Sequence, residues 1–138
     1  MIGGVLLDTH AAIWMAEGTI GVAPAERIED AMRRSAIYVS IVTAWEVGML
    51  SVPRRDGREL QVDAVEWFRD LLSLPGVRLA PCTPTISVAA SRLPDFAHRD
   101  PADRLLIATA RELKVPMITR DDRIQAYAET GALAVIPC

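Results

Sequence analysis

The sequence predicts an α/β fold: a three-layer α/β/α arrangement with a mainly parallel central sheet. Three observations predict it. Short runs at 4–7, 37–42, 77–81, 116–119 and 134–137 read as strands, the first of them continuously apolar and buried. Segments of helical spacing separate them, and this alternation builds a parallel sheet covered on both faces. The length of 138 residues fits one domain over 1–138, with a core that needs no disulfide or structural metal.

In order, the first run ends in Asp8-Thr9-His10, and a helix over about 11–17 follows. Gly18 and Gly21 bracket a turn. Residues 24–34 are amphipathic, with Ile28 and Met32 on one face. After the second strand, Thr43-Ala-Trp-Glu46 opens a helix carrying Val47, Met49 and Leu50. Residues 53–63 are the most polar stretch and read as an exposed loop. A helix over 64–74 carries Val65, Phe68 and Leu72 on one side and stops at Pro75-Gly76. Pro84 starts a helix toward Leu93, and 94–99 is a connector. Asp100 is then a good N-cap, and Pro101 suits the first helical position, where a missing N–H costs nothing. Leu106, Ile107, Ala110 and Leu113 form the buried stripe of that helix. The fourth strand leads through Arg120-Asp121-Asp122 into a last helix over about 123–130. No internal repeat or interdomain linker interrupts the chain.

Composition narrows the function. Hydrophobic residues make up 51% of the chain, enough to suggest that some apolar surface is covered by a partner or a second copy. Cys82 and Cys138 are too few for a disulfide framework or a zinc site. No run is long enough to span a membrane. The start lacks a basic segment and holds Asp8 within its apolar run, unlike a signal peptide. A cytoplasmic protein is expected. The net charge of −3 counts against a protein that coats duplex nucleic acid. Lys114 is the only lysine among 15 basic residues, and arginine suits bidentate phosphate contacts.

The acids carry the chemistry. Asp8 directly follows the first strand, and Asp121 follows the fourth. Glu46 falls in the first turn of the helix after the second strand. Asp103 falls in the first turn of a helix that must run antiparallel to the strand it leads into. All of them therefore reach the edge formed by the strand C-termini, where open sheets bind ligands. Each also has an ordinary use. Thr43-x-x-Glu46 reads as a capping box, Asp100-x-x-Asp103 resembles one, and Asp8 and Asp121 can cap the helices after them. Caps, however, are served as well by Ser, Thr or Asn. Gathered carboxylates repel, and a hard divalent cation with oxygen ligands relieves that repulsion. Magnesium or manganese suits an all-oxygen site. Asp103 is the expected ligand, and Asp100 a cap or supporting group. Thr9 and Thr119 stand beside acids, where they can orient a water or a carboxylate or serve structure alone. Arg99, Arg104 and Arg120 lie near the acids in sequence, as phosphate contacts or as ordinary surface and ion-pairing residues.

Four stretches resemble the PIN-domain family, specifically the VapC-type toxins of type II toxin–antitoxin systems. They are Leu7-Asp8-Thr9-His10, Ser40-x-x-Thr43-Ala-Trp45-Glu46, the run from His98 to Ala110, and Ile118-Thr-Arg-Asp121. The resemblance covers nearly the whole chain. It implies a PIN-like fold and a magnesium- or manganese-dependent endoribonuclease acting on RNA. It also implies inhibition by a cognate antitoxin and a homodimeric state. The family's acidic quartet carries over to Asp8, Glu46, Asp103 and Asp121 as metal-binding and catalytic residues. Asp122 stands next to Asp121 as a possible substitute for it.

Other readings leave more unexplained. Metal-independent cleavage by His10 and His98 ignores the acids. A haloacid-dehalogenase phosphatase wants an acid two residues after Asp8, where His10 stands. A receiver domain wants a lysine at a strand end, and Lys114 lies in a helix. A catalytically silent module that binds RNA or protein is the alternative from another class. Trp14, Trp45, Met15, Met49 and Leu50 flank the site helices. Core packing accounts for most of them, but their number also allows an antitoxin groove.

Overall fold

The computed structural model describes residues 3–138. Its strands are β1 (Val5–Leu7), β2 (Ile37–Ser40), β3 (Val77–Ala80), β4 (Met117–Thr119) and β5 (Val135–Pro137). They form one sheet in the order β3-β2-β1-β4-β5, and each recorded pair is parallel. The helices are α1 (Thr9–Glu17), α2 (Val22–Arg33), α3 (Ile41–Leu50), α4 (Ala64–Ser73), α5 (Pro84–Ser91), α6 (Pro101–Leu113) and α7 (Asp122–Ala128).

Strand alternation divides the core in two. Leu6 faces one side, packed with Leu106, Ile107, Met117 and Tyr127 beneath α5, α6 and α7. Val5 and Leu7 face the other, with Ile28, Phe68, Leu71 and Ile118 beneath α2 and α4. A strand buried on both faces must be apolar throughout, and β1 has no exposed residue. Fully burying one such leucine contributes roughly 2–3 kcal/mol. The three-layer architecture follows from these two cores.

The strand order reverses direction at β1: β2 lies on one side and β4 on the other. That reversal opens a crevice beyond the C-termini of β1 and β4. Chain connections there are abrupt. Asp8 directly follows β1 and caps α1, and Asp121, two residues past β4, caps α7. Pro101 opens α6 behind its cap, Asp100, and Lys114 closes it in the left-handed conformation at φ 57°.

Several boundaries differ from expectation. The second strand ends at Ser40, not at 42, because the Ser40 hydroxyl accepts from the Val42 N–H at 3.0 Å and caps α3. Thr43-x-x-Glu46 is therefore not a capping box. Thr43 points its hydroxyl at Thr9 instead, 3.2 Å away, and Glu46 sits in the second turn of α3. The first helix begins at Thr9 because Asp8 caps it, and the second begins two residues early, at Val22. Residues 53–63 carry neither helix nor strand.

Candidate active site

Asp8, Glu46, Asp103 and Asp121 line one cleft of about 460 Å³, together with Asp100 and Thr9. The convergence expected at the strand C-terminal edge is present. Asp122, the neighbour of Asp121, is exposed and does not line this cleft.

Each acid is held by its own local contact. Asp8 is 8% exposed. Its Oδ1 accepts from the Ala11 N–H at 2.7 Å, and Thr119 also hydrogen-bonds its side chain. Thr119 Oγ1 accepts from the Asp121 N–H at 3.1 Å, so one hydroxyl links the acids that end β1 and β4. Asp121 Oδ1 accepts from the N–H groups of Arg123 and Ile124. Glu46 Oε1 accepts from the Thr9 hydroxyl at 2.5 Å. Asp103 Oδ2 lies 3.0 Å from His98 Nε2. The Asp103 N–H donates to Asp100 Oδ1 at 3.1 Å, which is the expected cap.

The electrostatics are unfavourable without a counter-charge. Burial pushes the Asp8 carboxyl above its ordinary value, against hydrogen bonds from Thr119 and Ala11, and the Asp121 charge adds to the rise. Burial likewise raises Glu46, and the charges of Asp103 and Asp100 raise it further. Asp103 is raised by burial, then by Asp100 and Asp121. Caps alone do not require carboxylates that oppose each other's ionisation. The cleft's oxygen-rich donors match a hard divalent cation rather than a soft one. Asp100, Asp103 and His98 also offer ligand atoms within 4.8 Å of one another.

The arginines divide. Arg120 borders the cleft, with its guanidinium 3.9 Å from the Trp14 ring centroid. Arg104 does not line the cleft. Its guanidinium donates to the carbonyls of Ala90, Phe96 and His98 at 2.8–2.9 Å, which pins the 94–99 connector to α5 and α6. Arg99 lines a shallow groove between α5 and α6 with Ser87 and Leu105. Neither lines the cleft. Sequence reasoning missed Arg123, which lines the cleft and lies 3.7 Å from Asp121 Oδ2. Its position two residues after Asp121 was the only available signal.

The large apolar residues of α3 also depart from core packing. Trp45 is 55% exposed and Met49 50% exposed. With Ile41 they form a stripe on the outside of the helix, and exposed Val52 lies just past its end.

A three-layer parallel fold with acids at its switch point is the form a PIN-domain protein takes. The PIN domain family matches residues 5–130, and the chain belongs to that family, among the VapC-type toxin ribonucleases. It is 30% identical over 133 residues to Ribonuclease VapC22 of Mycobacterium tuberculosis, covering 95% of this chain and 97% of the relative. Solved structures agree in fold. The crystal structure of VapBC2 from Rickettsia felis bound to a promoter DNA fragment matches with a TM-score of 0.63 at 10% identity. That match covers 96% of this chain and 97% of the other. FitAcB from Neisseria gonorrhoeae matches with a TM-score of 0.63 at 20% identity, covering 96% of each chain.

Proposed function

We propose that this chain is a divalent-metal-dependent endoribonuclease and the toxin of a toxin–antitoxin pair. The observation that carries this reading is the meeting of Asp8, Glu46, Asp103 and Asp121, from four separate segments, in one cleft. Two of these acids also cap helices. The raised carboxyls of Asp8, Glu46 and Asp103 are what capping leaves unexplained.

In this reading the four acids bind magnesium or manganese. The bound cation would activate water and offset the charge that grows on the scissile phosphate. Thr9 orients Glu46, and Thr119 orients Asp8 while receiving the Asp121 N–H. Arg120 and Arg123 stand at the cleft wall, where their guanidiniums attract the RNA backbone. Trp14 supports the Arg120 guanidinium from below.

The same reading gives the protein an antitoxin partner. The α3 stripe of Ile41, Trp45 and Met49, with Val52 just beyond it, suits the apolar face of a partner helix. The named relatives in complexes, VapBC2 and FitAcB, support such a partner by kinship of fold. A homodimer is proposed on the same apolar excess, and a cytoplasmic location on the toxin role. Among the described residues, no helix is long and apolar enough to cross a membrane.

The deciding experiment incubates purified protein with total RNA, with magnesium or with EDTA, beside Asp103→Asn. New 5′ ends that need both the metal and Asp103 are expected. RNA retention without cleavage in every arm would leave the silent binding module as the better reading.

A further inference from the structure

His98 sits where it could do either of two things to Asp103. It could join Asp103 and Asp100 as a metal ligand, since the three offer ligand atoms within 4.8 Å of one another. Or it could hold Asp103 in place. The second nitrogen of the ring decides between them.

Arg123 Nη1 lies 3.1 Å from His98 Nδ1. A guanidinium has five N–H donors and no acceptor. Nδ1 must therefore present its lone pair, and the proton of the neutral ring must sit on Nε2. Nε2 faces Asp103 Oδ2 at 3.0 Å and donates to it. This is the one neutral tautomer that satisfies both contacts. The ring is fixed on other sides as well. Phe96 meets it edge-on with centroids 5.8 Å apart, and the His98 carbonyl accepts from Arg104 Nη1 at 2.9 Å.

A metal on Nε2 would need the opposite tautomer. The proton would move to Nδ1 and oppose the Arg123 N–H, donor against donor. A ligating histidine ordinarily donates its other ring N–H to a carboxylate, carbonyl or water. Here that nitrogen meets a cation instead.

We propose that His98 is a positioning residue for Asp103, locked by Arg123 as the Nε2–H tautomer and so kept out of the metal's ligand set. One oxygen of Asp103 is then committed to His98, and Oδ1 is left for the cation. Arg123 also reaches Asp121 Oδ2 at 3.7 Å. One guanidinium thereby sets the disposition of acids at the starts of both α6 and α7, and keeps the centre all-oxygen, which favours magnesium or manganese over zinc. The catalytic consequence rests on the nuclease reading; the tautomer does not.

The test has three arms on the full chain. First, ring ¹⁵N–¹H correlation spectra are recorded without added metal. The chain has two histidines, so a His10→Gln variant assigns the His98 signals. The Nε2–H pattern is expected, unchanged by magnesium, and shifted toward mixed tautomers in Arg123→Met. An Nδ1–H pattern, or no response to Arg123→Met, overturns the proposal. Second, zinc is titrated. Arg123→Met should bind zinc about tenfold more tightly than the unmodified chain, and the added His98→Gln change should abolish that gain. Zinc binding that already depends on His98 in the unmodified chain overturns it. Third, His98→Ala should lower RNA cleavage about 10-fold or more with KM little changed. His98→Gln, whose amide can still donate to Asp103, should recover most of the rate. If no variant cleaves RNA, the nuclease reading fails, and the first two arms still decide the tautomer.

Discussion

Thr9 and Glu46, 37 positions apart in the chain, are joined directly: the Thr9 hydroxyl donates to Glu46 Oε1 across 2.5 Å. The same hydroxyl lies 3.2 Å from that of Thr43, so a short chain of oxygens runs from buried Thr43 through Thr9 to half-buried Glu46. The link holds the first turn of α1 against α3 and fixes which way Glu46 faces. Thr9→Val removes the hydroxyl with little change of shape. Cleavage should fall about 10-fold or more, the cost seen when the group supporting a metal ligand is lost. Thr9→Ser should stay near the starting rate. Initial rates on one RNA at fixed magnesium measure both.

Charge at this site should cost stability when no cation is present. Burial and neighbouring acids raise the Glu46 carboxyl in the folded state. A carboxyl raised on folding binds more protons folded than unfolded, so its ionisation weakens the fold. The penalty is absent below the unfolded value, grows as pH rises to the folded value, and is complete above it. Glu46→Gln keeps an acceptor for Thr9 and removes the charge. At neutral pH without metal, we expect it to raise stability by about 1 kcal/mol, or roughly 3–5 °C in Tm. Thermal melts in EDTA measure this. The gain should vanish in acid.

Cation binding should show the same carboxyls from the other side. Asp8, Glu46 and Asp103 are all raised, and a bound cation needs them ionised. Magnesium affinity should therefore weaken as pH falls, beginning above the ordinary carboxylate value of about 4. Binding in that range should release protons. Calorimetry in buffers of different ionisation enthalpy reads the release, and constant affinity down to pH 4 would contradict it.

Arg104 separates a structural arginine from a phosphate-binding one. Its three carbonyl acceptors are left without a donor in Arg104→Leu. The loss should be about 2–3 kcal/mol of stability, seen as a lower urea midpoint. A phosphate contact would instead raise KM for RNA and leave the melt unchanged.

Trp45 offers the same kind of separation for the partner. It is 55% exposed, so Trp45→Glu should leave the melt within about 0.5 kcal/mol. Copurification with a coexpressed antitoxin should be lost, while metal-dependent cleavage persists. Retained copurification would place the partner elsewhere.

Much of this was readable in the chain because the acids sit at fixed offsets from strands. A helix leading into a parallel strand must aim its N-terminus at the strand's far edge, and that argument places Asp103 beside Asp8 before any coordinates exist. What escaped reading depends on rotation and distance. Arg104 adjoins Asp103 in sequence, but one residue turns a helix by roughly 100°, enough to send its side chain to α5. Ile41-Val42 looks like continuing strand because both residues are β-branched, yet the Ser40 cap ends the strand first. The contact between Arg123 and His98 spans 25 positions and leaves no periodic trace. Trp45 and Met49 carry the right hydrophobicity for a core; only the packed helix reveals that they face outward.

The order of strands in space has a consequence for how the protein is made. β1 emerges first from the ribosome, yet it is central and needs β4 as a neighbour. Asp121 arrives only after β4, later than the other three acids of the cleft. A growing chain can hold Asp8 and Glu46 without possessing a reactive centre. The machinery that synthesises this polypeptide is itself built of RNA, and under the proposed reading its product cannot cut until Asp121 has been made.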